Sequence, residues 1–362
     1  MYKTISSYIA GCASFCLSAI ACALPAQAYA DNPRQCCGNC SEKDMAAYLM
    51  VFFTDETHDL FMATSPDGYT FTAVNDGKPV IAGDSIAEQK GIRDPHISRG
   101  PDGAFYLAMT DLHIFAKKEG LRDTEWERPG EQYGWGNNRG LVLMKSDDLI
   151  NWKRTNLRID KLFPEKFGNI GCAWAPETTY DPVEKKMMIY FTMRDGIQPS
   201  NLYYAYTDDD FTTLVTEPQI LFHYPDTEKA VLDADISRTN DGRWCITYVA
   251  HDGTPGIKMA FSDNINSGWQ YVPEFIDFED GACEAPNVWK RIGEDKYVVM
   301  YDIYSINPHN FGFVETSDFK NFKNLGHFNE GVMKTTNFSS PKHGAIIQIS
   351  AAEKEALENH WK

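Results

Sequence analysis

Short runs of strand-forming residues recur along the chain, each bounded by turn chemistry. Residues 49–53, 104–109, 187–191, 245–249 and 297–301 mix Tyr, Phe, Val, Ile and Met at strand length. A second set follows at 60–63, 141–144, 202–206, 257–261 and 311–315. Turns such as Pro101-Asp102-Gly103 and Asn240-Asp241-Gly242 bound them. A helical period is sustained only near 351–357.

After each run of the second set comes Ser or Thr, then an acidic residue, then an apolar or aromatic one. The hydroxyl positions read as Ser65, Ser146, Thr207, Ser262 and Ser317, giving gaps of 81, 61, 55 and 55 residues. A period of this size predicts a propeller or array. A β-sandwich has no reason to repeat one turn five times.

Each unit also has an opening segment: Arg93-Asp94-Pro95-His96, Trp174-Ala175-Pro176-Glu177, Asp233-Ala234-Asp235-Ile236, Glu284-Ala285-Pro286-Asn287 and His343-Gly344-Ala345-Ile346. Four of the five place an acidic residue beside Pro or Ala, at what reads as one phase. The first strand of a propeller blade lines the central channel, so these carboxylates should converge there. Gathered carboxylates resist joint ionisation, which spreads their pKa values apart. The last opening strand, 343–349, has no strands after it, and the strands at 49–53 and 60–63 have none before them. Joining the two closes the ring and leaves no exposed edge. The expected fold is all-β, a five-bladed propeller over 46–350 closed by its C-terminal and N-terminal strands, with a tail at 351–362.

Charge and cysteine usage add partners and compartment. Lys and Arg number 34 against 51 Asp and Glu, a net charge of −17, so nucleic acid is not an expected partner. Within residues 1–30 the single charge is Lys3. An apolar run at 9–24 precedes Ala26-Gln27-Ala28-Tyr29-Ala30, which predicts a secretory signal peptide cut after Ala28 or Ala30 and export to the periplasm or exterior. No later stretch reaches the roughly 20 apolar residues of a membrane helix. Residues 31–45 read as a Cys-containing extension. Its Cys36, Cys37 and Cys40 lack a fourth ligand for structural zinc. In an oxidising compartment disulfides are expected, with the pairing among these three and Cys172, Cys245 and Cys283 open.

The ordered set Asp94-Pro95, Trp174-Ala175-Pro176, Asp233-Ala234 and Glu284-Ala285-Pro286 resembles the family 43 glycoside hydrolases, over about residues 46–350. The resemblance implies a monomeric five-bladed propeller that removes arabinofuranose, xylose or galactose units from plant-type polysaccharides with inversion. It implies Asp94 as general base, Glu284 as general acid and Asp233 as the carboxylate that orients and tunes the acid. His343 would be a channel histidine near a water or a water-held calcium, and no cofactor is required. Trp174 and Trp289 offer flat faces for a sugar, and Arg93 and Glu177 complete the expected substrate-binding set. The chain departs from the family where Glu177 stands for a frequent Asp and Ala285 for a frequent Gly. The long insert at 116–138, with Trp126, Tyr133 and Trp135, is expected to shape specificity. The substrate expectation is an exo-acting α-L-arabinofuranosidase or β-xylosidase. A retaining invertase-type propeller would need an Asn-Asp-Pro nucleophile in the first blade, and nothing of that kind precedes Arg93. A non-catalytic carbohydrate-binding propeller would not need three carboxylates in its channel.

Overall fold

Five antiparallel sheets follow one another around an axis in the computed structural model, which describes residues 42–122 and 128–362. The first blade runs Ile92–Arg99, Phe105–Asp111, Gly140–Ser146 and Trp152–Arg158. The second is Ile170–Asp181, Lys186–Asp195, Asn201–Tyr206 and Gln219–Phe222. The third is Val231–Arg238, Trp244–Ala250, Gly256–Ser262 and Gln270–Val272, and the fourth Glu284–Lys290, Tyr297–Ile303, Asn310–Thr316 and Lys323–His327. The fifth joins the two ends of the chain. Lys342–Ser350 pairs with Met45–Phe53, placing Leu49 opposite Ile347 and Val51 opposite Ala345. Phe61–Ser65 and Thr70–Ala73 continue outward, and Lys334–Thr335 adds a parallel edge. The ring closes as its strand inventory predicts.

Sheets packed face to face bury both sides of their middle strands, so those strands read as continuous apolar runs without alternation. All seven residues of Phe105–Asp111 and of Tyr297–Ile303 are buried. Among the described residues an apolar core fills each of the five blade-to-blade interfaces. Trp289 belongs to one of them. It is 4% exposed and meets the Phe313 ring edge-on at 6.3 Å between the fourth and fifth blades. It is a packing residue and not the sugar platform that its sequence context suggested.

Three of the five repeated turns share one geometry. The Asp accepts two backbone N–H groups: Asp67 from Tyr69 and Thr70, Asp148 from Ile150 and Asn151, Asp318 from Lys320 and Asn321. The hydroxyl that leads the fifth turn is that of Thr316, bonded to Asp318 at 3.3 Å, so the sequence reading of Ser317 was one residue late. The turn throws the next residue into the left-handed region, as at Leu149 (φ 65°) and Phe319 (φ 53°). Both side chains are buried in blade interfaces, which offsets the strain.

Residues Ala351–His360 form a helix with a Ser350/Glu353 capping box. Glu353 also takes both Arg99 guanidinium nitrogens, at 2.8 and 2.7 Å, and Leu357 is fully buried. The helix thereby ties the fifth blade to the first. Cys172, Cys245 and Cys283 are buried free thiols and form no disulfide. The expected signal peptide, with Cys36, Cys37, Cys40 and Trp126, lies outside the described residues. No helix among the described residues is long and apolar enough to cross a membrane.

Candidate active site

Every inner strand carries an irregularity at the same place. The ladder slips between Arg93 and His96, Trp174 and Glu177, Leu232 and Asp235, and Glu284 and Asn287, and in the fifth blade between Val51 and Phe53. Asp94, Ala175, Asp233, Ala285 and His343 sit there with φ of 53°, 46°, 49°, 56° and 23°. A bulge re-aims side chains and frees backbone N–H groups from the ladder. It also corrects the expected phase. Asp94, Asp233 and His343 occupy the bulge itself. Glu284 stands one residue earlier, in the position of Arg93, Trp174 and Lys342, whereas Glu177 stands two residues after the bulge's leading position, with His96, Asp235 and Asn287.

The freed N–H groups are taken up by side chains of the preceding blade, as buried donors require. Ala175 N donates to Thr110 Oγ1 at 2.8 Å, Asp233 N to Thr192 Oγ1 at 2.9 Å and His343 N to Asp302 Oδ2 at 3.2 Å. The Ala285 N–H faces the Asp233 carboxylate and favours its ionised form. A second, deeper ring repeats the device: Thr178 N to His96 Nδ1, Ile236 N to the Tyr190 hydroxyl and Ile346 N to Asn287 Oδ1. Thr110, Thr192 and Asp302 lie opposite Arg93, Trp174 and Glu284 in their ladders. That common register was the available signal for them, and the sequence reading missed it.

A cavity of 630 Å³ opens on this ring. Arg93, Asp94, Trp174, Asp233, Glu284 and His343 all line it, whereas Glu177 and Trp289 do not. Thr110 Oγ1 donates to Asp94 Oδ2 at 2.6 Å, and His343 Nδ1 faces Asp94 Oδ1 at 3.2 Å. Burial alone would raise the Asp94 carboxyl. The His343 charge and hydrogen bond, with Arg93 and Thr110, outweigh it and hold the group well below the usual carboxylate range. Burial pulls His343 down, but Asp94 overcomes this and raises it. Asp233 is different: burial, then Glu284 and Asp94, push it up to about 8 against the pull of His343. It keeps its proton near neutrality.

Arg93 is fixed by Asp55, 2.8 Å from Nη1, and lies over the Phe53 ring at 4.7 Å. Lys342 Nζ stands 3.3 Å from Asp302 Oδ2 and 3.4 Å from Glu284 Oε1. Burial drives Asp302 up to about 7 despite Lys342. The Trp174 indole donates to Gly136 O at 3.0 Å, and the Arg194 guanidinium covers its ring at 4.6 Å.

Below the cavity the deeper ring forms a buried polar plug. Glu177 is 2% exposed, accepts the Tyr190 hydroxyl at 2.9 Å and lies 3.7 Å from His96 Nε2. Its burial among these groups takes it away from any sugar, contrary to the substrate-binding expectation. Burial and then Asp235 raise Glu177 well above its ordinary value, and burial raises Asp235 to about 7. Ligand atoms of His96, Glu177 and Asp235 lie within 4.8 Å of one another. Because His96 Nδ1 accepts the Thr178 N–H, its neutral ring carries the hydrogen on Nε2, which leaves no lone pair for an ion there. His343 Nδ1 is engaged by Asp94 Oδ1 at 3.2 Å.

An ionised carboxylate, a second carboxylate beside a proton-holding one, and a ringed aromatic wall thus face one cavity. Residues 43–355 match the model of a family 43-related domain described as a probable glycosyl hydrolase domain. An α-L-arabinofuranosidase of Bifidobacterium longum subsp. longum is 28% identical over 155 residues, which are 41% of this chain and 12% of that protein. The chain thus spans about an eighth of that relative's length. The endo-arabinase of Bacteroides thetaiotaomicron VPI-5482 superposes with a TM-score of 0.52 at 16% identity, covering 76% of this chain and 94% of the other. At that identity the likeness is one of fold.

Proposed function

Because this chain belongs to the family 43-related glycosyl hydrolases, we propose that it is an exported glycosidase that hydrolyses α-L-arabinofuranosides of plant-type polysaccharides or oligosaccharides with inversion. One observation carries the reading: Asp94 of the first blade and Glu284 of the fourth line the same cavity. Inverting hydrolysis needs two carboxyl groups on opposite faces of the sugar, with room for a water at one of them. Asp94, held ionised, is the base that takes the proton of that water. Glu284 is the acid that protonates the departing oxygen. Thr110 and His343 hold the Asp94 carboxylate from two sides, and Asp233 keeps a proton beside the acid. Positive charge developing on the sugar ring meets this carboxylate-lined wall, and the Trp174 face packs against the ring. After the bond breaks, Asp94 holds the proton and Glu284 is ionised, and exchange with solvent restores both.

The arabinofuranoside preference draws on the printed name of the B. longum relative. A panel of aryl α-L-arabinofuranoside, β-D-xylopyranoside and β-D-galactopyranoside, with the first-formed anomer read by NMR, tests the proposal. Arabinofuranoside turnover with inverted product supports it. Turnover of the xyloside alone, or a retained anomer, contradicts it.

A further inference from the structure

Trp135 is the most exposed aromatic at the cavity. It lines the mouth and is 66% exposed. Its mount is built with care for rigidity. Arg194 Nη2 donates to Tyr133 O and to Trp135 O, both at 2.8 Å. Asn137 Nδ2 donates to Gly134 O at 3.1 Å, and Trp174 Nε1 to Gly136 O at 3.0 Å. Four consecutive carbonyls are therefore pinned by side chains. The glycines on either side have φ of +75° and +61°. A Cβ at Gly134 would come within 2.7 Å of Arg194, and one at Gly136 within 3.2 Å of Trp174. The Trp135 ring stands 6.1 Å from that of Trp174, at 64°. Ile197, from the second blade, lines the same mouth and is 60% exposed.

Two indoles thus succeed each other from the interior outward. Trp174 is half-buried, on the strand whose bulge joins the carboxylate ring, and Trp135 is outside it. A sugar at the carboxylates leaves its neighbour on the solvent side, against the outer indole. An indole face buries the C–H face of a sugar ring and costs little conformational entropy, because the side chain has two torsions and a fixed backbone. We propose that Trp135 is the platform for the sugar on the leaving-group side of the scissile bond, so that the chain takes its glycoside from a neutral oligosaccharide or polysaccharide. This rests on the glycosidase reading above.

The test compares an arabino-oligosaccharide with methyl α-L-arabinofuranoside, which has no ring on the leaving side. Trp135→Ala should lower the ratio of kcat/KM on the oligosaccharide to that on the methyl glycoside by about tenfold, and Trp135→Phe should restore most of it. An unchanged ratio overturns the proposal. Calorimetric binding of the same oligosaccharide to Glu284→Gln, with and without Trp135→Ala, gives a readout independent of turnover. If the native chain cleaves neither substrate, the glycosidase reading fails, and binding then decides Trp135 alone. Oligosaccharide binding weakened by Trp135→Ala supports the platform, and binding that is absent or unaffected refutes it.

Discussion

His343 Nδ1 lies 3.2 Å from Asp94 Oδ1, and this pair joins the last inner strand of the propeller to the first. Both residues occupy the bulge position of their strands. Closing the ring and holding the ionised carboxylate are therefore one structural event.

His343→Gln should expose that coupling. The carboxyl of Asp94 loses its largest stabilising charge, so the acid limb of kcat/KM should move up by about one pH unit or more. Stability should respond with a defined window. The depressed Asp94 contributes above its unfolded value near 3.9 and loses this as pH falls. The raised His343 contributes below about 6.5 and loses this as pH rises through its folded value. The melting-temperature gap between native protein and variant should thus be widest between about pH 4 and 6.5. A gap independent of pH would show that the two groups do not pair.

Thr110 does two things with one hydroxyl, donating to Asp94 and accepting from Ala175 N. Thr110→Val leaves a buried N–H without a partner and should cost about 1–3 kcal/mol. Activity should fall on every substrate, and Thr110→Ser should recover both properties. Full activity in Thr110→Val would remove the hydroxyl from the account.

The raised carboxyls of the two rings predict an unusual pH trend. Asp235 and Asp302 are pushed to about 7 and Asp233 to about 8, so the folded state keeps protons that the unfolded chain releases near 3.9. For these groups stability falls as pH rises from about 4 through their folded values. Asp235→Asn should remove up to about 1.4 kcal/mol per pH unit of that decline over its steep part. Melting curves from pH 5 to 8.5 check this, and an unchanged slope would mean that Asp235 is ionised in the fold.

The sequence carried the five turns and the five opening strands because each rests on local chemistry: an Asp that accepts two N–H groups in four of the turns, the Ser262 hydroxyl that accepts the Asn264 N–H in the other, and a run of strand formers. It carried the approach of Asp94, Asp233 and Glu284 to one axis for the same reason. The bulge was not legible. It inserts a residue into the pleat, so side chains two apart no longer share a face as period-two reading assumes. Glu177 was therefore placed on the substrate when it lies in the plug, and Trp289 was given a sugar when its strand face meets Phe313. Thr110, Thr192 and Asp302 escaped because one register position is filled by two different chemistries, a hydroxyl and a carboxylate. Lys342, one residue before His343, shares the position of Glu284 and was visible only once the five bulges were superposed.

The most direct test of the account is the leaving-group dependence of Glu284→Gln. An acid is needed only when the departing oxygen is a poor leaving group. The variant should lose about 10²–10⁴-fold in kcat/KM on an arabino-oligosaccharide, and far less on 2,4-dinitrophenyl α-L-arabinofuranoside, whose phenolate departs without a proton. Equal losses on the two substrates would contradict the assignment of Glu284 as the proton donor, and with it the division of labour across the cavity.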